Sequence, residues 1–249
     1  MDRCVQGEAL NRQVLKIIVR SVKVAEIYHS IQGEGFLTGT ESVFVRTSGC
    51  NLRCWFCDTP YTSWEPEGKD LSVAEIVAMV EKWTTSHVVI TGGEPMLFAE
   101  MLPLCDALSD LGRHLTIETA GTLYLPVRCD LMSVSPKLAN SSPDESLHPK
   151  WYVRHDLSRH VPDVIRRLAH EYRCQFKFVV ETQADVVEVE RYLDEMTGIQ
   201  RSSVMLMPQG VDPDRLAEIG SWLSDYCGKN CLHFCPRRQI EWFGMTRGT

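Results

Sequence analysis

Short runs of β-branched and aromatic residues alternate along the chain with longer amphipathic stretches, and this alternation limits the fold more than any other feature. Residues 42–47, 87–91, 114–118, 130–135, 175–180 and 203–207 read as strands. Between them, residues 73–84, 97–111, 161–172, 186–196 and 214–226 carry the spacing of helices. Ser72, with Glu75 three residues on, gives the first of these a capped start. A last apolar stretch, 231–234, is placed to close the sheet. Such an order predicts an α/β fold of right-handed βαβ units with a mostly parallel sheet. In these folds the functional loops follow the carboxyl ends of the strands. Cys50, Gly92-Gly93, Glu118-Thr119 and Ser135-Pro136-Lys137 all stand at such positions, so they are expected to converge on one face.

A chain of 249 residues is long enough for one large domain with a sizeable core. Residues 1–22 have mixed character and read as an N-terminal extension, leaving 23–249 as a single domain. The formal net charge of -7 argues against a broad nucleic-acid surface. No apolar run approaches the length of about eighteen residues that a membrane span needs. Asp2, Glu8 and Lys16 interrupt the start of the chain, so no secretory signal is read there, and the cytoplasm is the expected compartment. The chain has 10 cysteines, three of them tightly clustered, which fits a reducing compartment and a metal or cluster site better than a disulfide framework.

That cluster is Cys50-x3-Cys54-x2-Cys57. Iron–sulfur clusters are normally held by four cysteines. Three thiolates can bind three irons of a [4Fe–4S] cubane and leave the fourth iron open. A zinc site would want a fourth Cys or His at a typical spacing, and none is adjacent. Phe56, directly before the third cysteine, makes the motif resemble the Cys-x3-Cys-x-aromatic-Cys pattern of radical S-adenosylmethionine (SAM) enzymes. There the open iron takes the amino and carboxylate groups of SAM, and one electron cleaves the sulfonium to give a 5′-deoxyadenosyl radical. The segment Gly92-Gly93-Glu94-Pro95 supports this reading. Glycines after a strand let backbone approach a ligand closely, and Glu94 would accept from the SAM ammonium.

Further segments narrow the resemblance. Ser30-Ile-Gln-Gly-Glu-Gly35, Phe44-Val-Arg46, Gly49-Cys-Asn-Leu-Arg-Cys54, Cys57-Asp-Thr59, Ile117-Glu-Thr-Ala-Gly121, Ser133-Val-Ser-Pro-Lys137, Lys177-Phe-Val-Val180 and Leu206-Met-Pro-Gln-Gly210 together resemble the 7-carboxy-7-deazaguanine synthase family. The resemblance runs from about residue 24 to near the carboxyl end. It implies a partial, modified radical-SAM (β/α) barrel, typically homodimeric. It implies ring contraction of 6-carboxy-5,6,7,8-tetrahydropterin to 7-carboxy-7-deazaguanine with loss of ammonia, in deazapurine and queuosine biosynthesis. A hydrogen is abstracted from C6 of the pterin, SAM is regenerated, and Mg²⁺ assists. A low-potential flavodoxin or ferredoxin is the implied electron donor.

The same resemblance assigns roles by position. Arg46 would pair bidentately with the substrate carboxylate, which suits its planar fork. Gln32 and Glu34 would read the amide and amino edge of the pterin, with Ile31 and Gly33 lining that contact through backbone, and Thr91 would add a contact. Thr59 would ligate Mg²⁺, which keeps most of its waters. Phe56, Cys57, Asp58, Gly93, Ser135, Pro136, Lys137, Met207, Pro208, Gln209 and Gly210 would hold SAM together with Glu94. Each has a plainer reading: Arg46 as a salt-bridge partner, Gln32-Gly-Glu34 as a turn, Thr59 as a loop residue, and Lys137 as a solvated strand end.

The carboxyl end follows the family loosely. Gln239 stands near where members commonly have a histidine, and glutamine cannot titrate. Thr249 is a candidate substrate contact at the terminus. Cys227, Cys231 and Cys235 form a second group, read either as an auxiliary metal site or as small core residues. Two other functions remain in play, a glycyl-radical activating enzyme and a non-enzymatic iron–sulfur or zinc protein. The first lacks the paired Ile31-Gln-Gly-Glu-Gly35 and Cys57-Asp-Thr59 segments, and the second leaves Arg46 and Gly92-Gly93-Glu94 unexplained.

Overall fold

The structure is a computed structural model and describes residues 21–249. Most of the expected extension, residues 1–20, lies outside the described residues. Ser21 and Val22 depart from that expectation, because they open the first strand. The strands are β1 (Ser21–Ile31), β2 (Glu41–Thr47), β3 (Lys69–Ser72), β4 (His87–Gly92), β5 (His114–Thr119), β6 (Leu131–Val134), β7 (Cys174–Val180), β8 (Val204–Pro208) and β9 (His233–Phe234). The helices are α1 (Pro60–Ser63), α2 (Val73–Val80), α3 (Met101–Asp110), α4 (Pro149–Arg159), α5 (Pro162–Glu171), α6 (Gln183–Glu195), α7 (Pro213–Lys229) and α8 (Arg238–Phe243).

All the strands join one sheet in the order β3-β1-β2-β4-β5-β6-β7-β8-β9. β1 runs antiparallel to β2 and β3, and from β2 to β9 every neighbouring pair is parallel. Among the described residues no ladder joins β3 to β9, so the sheet is an open, partial barrel of the expected mostly parallel kind.

The two-residue period of strands separates the sheet's faces. Val43, Val45, Val88, Ile90, Leu115, Ile117, Met132, Val134, Phe176, Phe178 and Leu206 pack with Ile76, Leu104, Leu108, Ile165, Leu168, Val189 and Leu223 of the helices in one core. Their neighbours along the strands, Phe44, Arg46, Thr91, Glu118, Ser133, Lys177 and Met207, face the other way and line a cavity. No described helix is long and apolar enough to cross a membrane.

Several elements differ from the sequence reading. The capping box of Ser72 and Glu75 forms, but α2 stops at Val80. The chain beyond it tightens, with Lys82 N donating to Met79 O and Trp83 N to Val80 O, the three-residue spacing of a 3₁₀ turn. The helix expected from 97 begins instead at Met101, because Phe98 is extended after a 3₁₀ turn at Pro95–Leu97. The last stretch supplies only the two residues of β9. α4 and α8 carry no clean apolar stripe and were not foreseen.

Candidate active site

The loops after β2, β4, β5, β6 and β8 meet at one cavity of about 330 Å³. Its lining has a cysteine part, Cys50, Cys54 and Cys57, and an ionic part that includes Arg46, Glu34, Glu118 and Lys177. The expected residues Ile31, Gln32, Gly33, Phe56, Asp58, Thr59, Thr91, Gly93, Ser135, Lys137, Met207, Gln209, Gly210 and Thr249 also line it. Pro136 and Pro208 do not, although the residues on either side of each do.

Glu94 is the clear correction. It is fully buried and is not among the lining residues. Its carboxylate accepts from Met96 N at 3.0 Å, Ala120 N at 2.9 Å and Thr119 Oγ1 at 2.8 Å, so it ties the loop after β4 to the loop after β5. The glycines before it line the cavity and are also required by packing. Gly92 has φ +131, and a Cβ there would overlap the Thr47 backbone, while one at Gly93 would overlap the Gly49 carbonyl. Only bare backbone lets the end of β4 press against the segment that leads into Cys50. Glu94 N then donates to Gly49 O at 2.8 Å and fixes that contact.

At the cysteine end the surroundings are apolar. Leu52, Cys54 and Ala120 are buried together, with Cys50, Phe56 and Cys57 packed against them. Burial pushes the Cys50 thiol up to about 11 and the Cys54 thiol up to about 12. A thiolate is unfavourable there without a cation, so a positively charged iron–sulfur core is the group this donor set fits. Ser63 Oγ donates to Cys57 Sγ at 3.3 Å, the kind of hydrogen bond that tunes a cluster sulfur. Thr62 Oγ1 donates to the Thr59 carbonyl at 2.9 Å and lies 3.2 Å from Thr59 Oγ1, which keeps oxygen lone pairs beside the cavity and fits a magnesium ligand.

The other end is ionic. Lys177, nearly fully buried, donates to Glu34 Oε2 at 2.9 Å and to Glu118 Oε1 at 3.2 Å. Gln239 Nε2 donates to Glu34 Oε1 at 2.5 Å, and Arg237 Nε lies 3.5 Å from the same oxygen. Burial alone would raise the Glu34 carboxyl, but Lys177 and Arg237 outweigh it and hold it at about 2. Burial would likewise discharge Lys177, and Glu118 and Glu34 overcome that and raise it. Arg237 also pairs with Asp58 and donates to Gly210 O at 2.7 Å, joining three of the site's loops.

Arg46 is both a salt-bridge partner and a wall of the cavity. Its Nε donates to Glu26 Oε1 at 2.7 Å and its Nη2 to the Tyr28 hydroxyl at 2.6 Å. Tyr61 OH donates to the same Glu26 oxygen at 2.8 Å. Nε and one Nη2 hydrogen are therefore spent, and Nη1 with the second Nη2 hydrogen remains for an anion. Thr91 Oγ1 donates to Glu118 Oε2 at 2.7 Å, so toward a ligand it acts as an acceptor.

Sequence reasoning gave no role to Lys177, Glu118, Arg237, Glu26 or Tyr28. Lys177 carried a signal, a lysine inside the buried strand Gln175-Phe-Lys-Phe-Val-Val180. The second cysteine group disperses. Cys227 is in the main core, Cys231 is exposed, and Cys235 packs on Met205 and Met207, its Sγ accepting from Gly35 N at 3.2 Å.

Comparison with known proteins agrees with this geometry. A family model for the Radical SAM superfamily matches residues 44–139. The chain is 44% identical over 230 residues to the 7-carboxy-7-deazaguanine synthase of Rhodopirellula baltica, covering 92% of this chain and 89% of that protein. It is 47% identical over 230 residues to the protein of the same name from Halobacterium salinarum, covering 88% and 90%. The crystal structure of QueE from Escherichia coli shares the fold, with a TM-score of 0.66 at 24% identity over 88% of this chain and 94% of that one. The chain belongs to the 7-carboxy-7-deazaguanine synthase family of the radical SAM superfamily.

Proposed function

We propose that this protein converts 6-carboxy-5,6,7,8-tetrahydropterin to 7-carboxy-7-deazaguanine with loss of ammonia, a radical-SAM ring contraction in deazapurine and queuosine biosynthesis. One observation carries the reading: a single cavity is lined both by three motif cysteines and by a buried array of cations and carboxylates. Family membership favours this over a glycyl-radical activating enzyme or a non-enzymatic iron–sulfur or zinc protein.

When bound, a [4Fe–4S] cluster and SAM supply one-electron cleavage and a hydrogen-abstracting radical, and Mg²⁺ supplies a Lewis acid. Cys50, Cys54 and Cys57 would hold the cluster. Phe56, Asp58, Gly93, Ser135, Lys137, Met207, Gln209 and Gly210 would surround SAM, and Thr59 would reach Mg²⁺. Arg46 takes the substrate carboxylate on Nη1 and the second Nη2 hydrogen, oriented by Glu26 and Tyr28. Glu34 stays ionised and can only accept, so it selects a ligand edge that presents N–H groups. Gln32, Thr91 and the backbone of Ile31 and Gly33 complete that contact. Leu52, Ala120 and Phe56 keep water from the cysteine end.

Three finer expectations go with this reading: a homodimer, a flavodoxin or ferredoxin as electron donor, and a cytoplasmic location. The test is an anaerobic assay of reconstituted protein with SAM, Mg²⁺, reductant and the carboxypterin, read by mass. Product of the expected mass supports the assignment. SAM cleavage without that product overturns the substrate and keeps the superfamily.

A further inference from the structure

The backbone of the cysteine loop is held from outside the cavity, by α4. His155 of α4 is fully buried, and its Nδ1 accepts the Arg53 backbone N–H at 3.1 Å. Its Nε2 lies 2.9 Å from Ser141 Oγ. Ser141 has one hydroxyl proton and donates it to Leu138 O at 2.6 Å, so it accepts from Nε2–H. Both ring nitrogens therefore agree on one neutral tautomer, and the ring bridges the cysteine loop to the turn after β6.

Arg53 extends this grip with its side chain. Its Nη1 donates to Cys50 O and to Leu52 O, each at 2.7 Å. Its guanidinium sits 4.0 Å over the Trp151 ring of the same helix. Trp55 N donates to Ser141 O at 3.2 Å, and Trp55 Nε1 to Asn140 O at 2.7 Å. Trp64 Nε1 caps Cys54 O at 2.9 Å. Within Cys50 to Trp55, the amides of Arg53 and Trp55 and the carbonyls of Cys50, Leu52 and Cys54 are thus held by these contacts.

We propose that His155 and Arg53 are positioning residues that preset the cysteine loop for its iron–sulfur cluster, with α4 as an external brace. The proposal rests on the cluster reading above. An unbraced loop would have to order itself as iron arrives, and that conformational cost would appear as poorer loading. His155→Asn keeps an acceptor near the Nδ1 position, whereas His155→Leu keeps none.

The test compares wild type, H155L and H155N without iron and after anaerobic reconstitution with iron and sulfide. Amide hydrogen exchange of peptides spanning 50–57 is read in the apo-protein, and iron per chain after reconstitution. In H155L the Arg53 amide is expected to exchange about tenfold faster, with peptides of β4 and β5 unchanged, and iron per chain to fall by about half. H155N is expected to recover most of both. Unchanged exchange, or full iron uptake despite faster exchange, overturns the proposal. If H155L does not fold, Arg53→Met is read by the same two measures with the same deciding outcomes. A wild-type chain that takes up no iron overturns the cluster reading and the proposal with it.

Discussion

At the cysteine end of the cavity, thiols sit among Leu52, Ala120 and Phe56, and burial raises the pKa of Cys50 and Cys54. At the opposite end, Lys177, Arg237 and Arg46 face Glu34, Glu118, Glu26 and Asp58, and their mutual attraction keeps Glu34 ionised despite burial. One end is waiting for charge to be brought in; at the other, three cations already face four carboxylates. The difference teaches how one sheet serves two ligands. The cysteine loop supplies the thiols of the first end, with Ala120 of the loop after β5 packed on them, whereas the charges of the second are drawn from β1 and the loop after it, β2, β5, β7, Asp58 of the cysteine loop and the carboxyl-terminal segment.

The comparison predicts that damage at one end spares the other. Cys54→Ala is expected to have the largest effect, abolishing turnover and most iron uptake while costing only about 1 kcal/mol of stability, since a cysteine without its cluster packs as a small apolar group. Iron analysis and urea unfolding of the same preparation check this. Lys177→Met should do the reverse. It leaves Glu34 and Glu118 facing each other without their cation, costing about 3–5 kcal/mol, with iron per chain unchanged. Loss of iron in this variant would break the separation of the two ends. Arg46→Ala should lower kcat/KM by about a hundredfold, as expected when one partner of a buried charge pair is removed, again with the cluster intact. Equal losses of turnover and iron would contradict its role toward the substrate.

The smallest effect is in pH dependence of the apo-protein. Glu34 is lowered from 4.5 to about 2, so its stabilisation is complete above pH 4.5 and is lost as pH falls toward 2. Cys50 and Cys54 are raised from 9.0 to about 11 and about 12, so their contribution is complete below pH 9 and is lost as pH rises toward those values. Unfolding across pH should therefore show an acid limb blunted by Lys177→Met and an alkaline limb partly blunted by Cys54→Ala. An acid limb unaltered in the lysine variant would remove Glu34 as its source.

Local patterns made much of this legible. Strand periodicity placed β2, β4, β5, β7 and β8, and the cysteine spacing with Phe56 located one end of the cavity. The ionic end was half visible. Glu34 and Arg46 lie in recognisable segments, but their partners are distant in sequence: Lys177 and Gln239 reach Glu34 across 143 and 205 residues. Such pairings depend on the register of β7 and on how the tail packs, and neither leaves a local pattern. Glu94 was misread for a related reason. Its position after two glycines suits a ligand contact, yet Thr119 and Ala120 of the next loop take its carboxylate. β1 escaped notice because Glu26, His29 and Ser30 interrupt its apolar alternation. α4 escaped because Arg154, Asp156 and Arg159 interleave with Val153 and Leu157.

The central claim is that both ends act on one substrate in one cavity. Its most direct test uses carboxytetrahydropterin deuterated at C6, turned over anaerobically, with the mass of recovered SAM measured alongside that of the product. Deuterium in the recovered SAM, together with 7-carboxy-7-deazaguanine as product, is the predicted result. Product formed with no deuterium reaching SAM would contradict the account, because the hydrogen would then have left the substrate by a route that does not pass between the two ends.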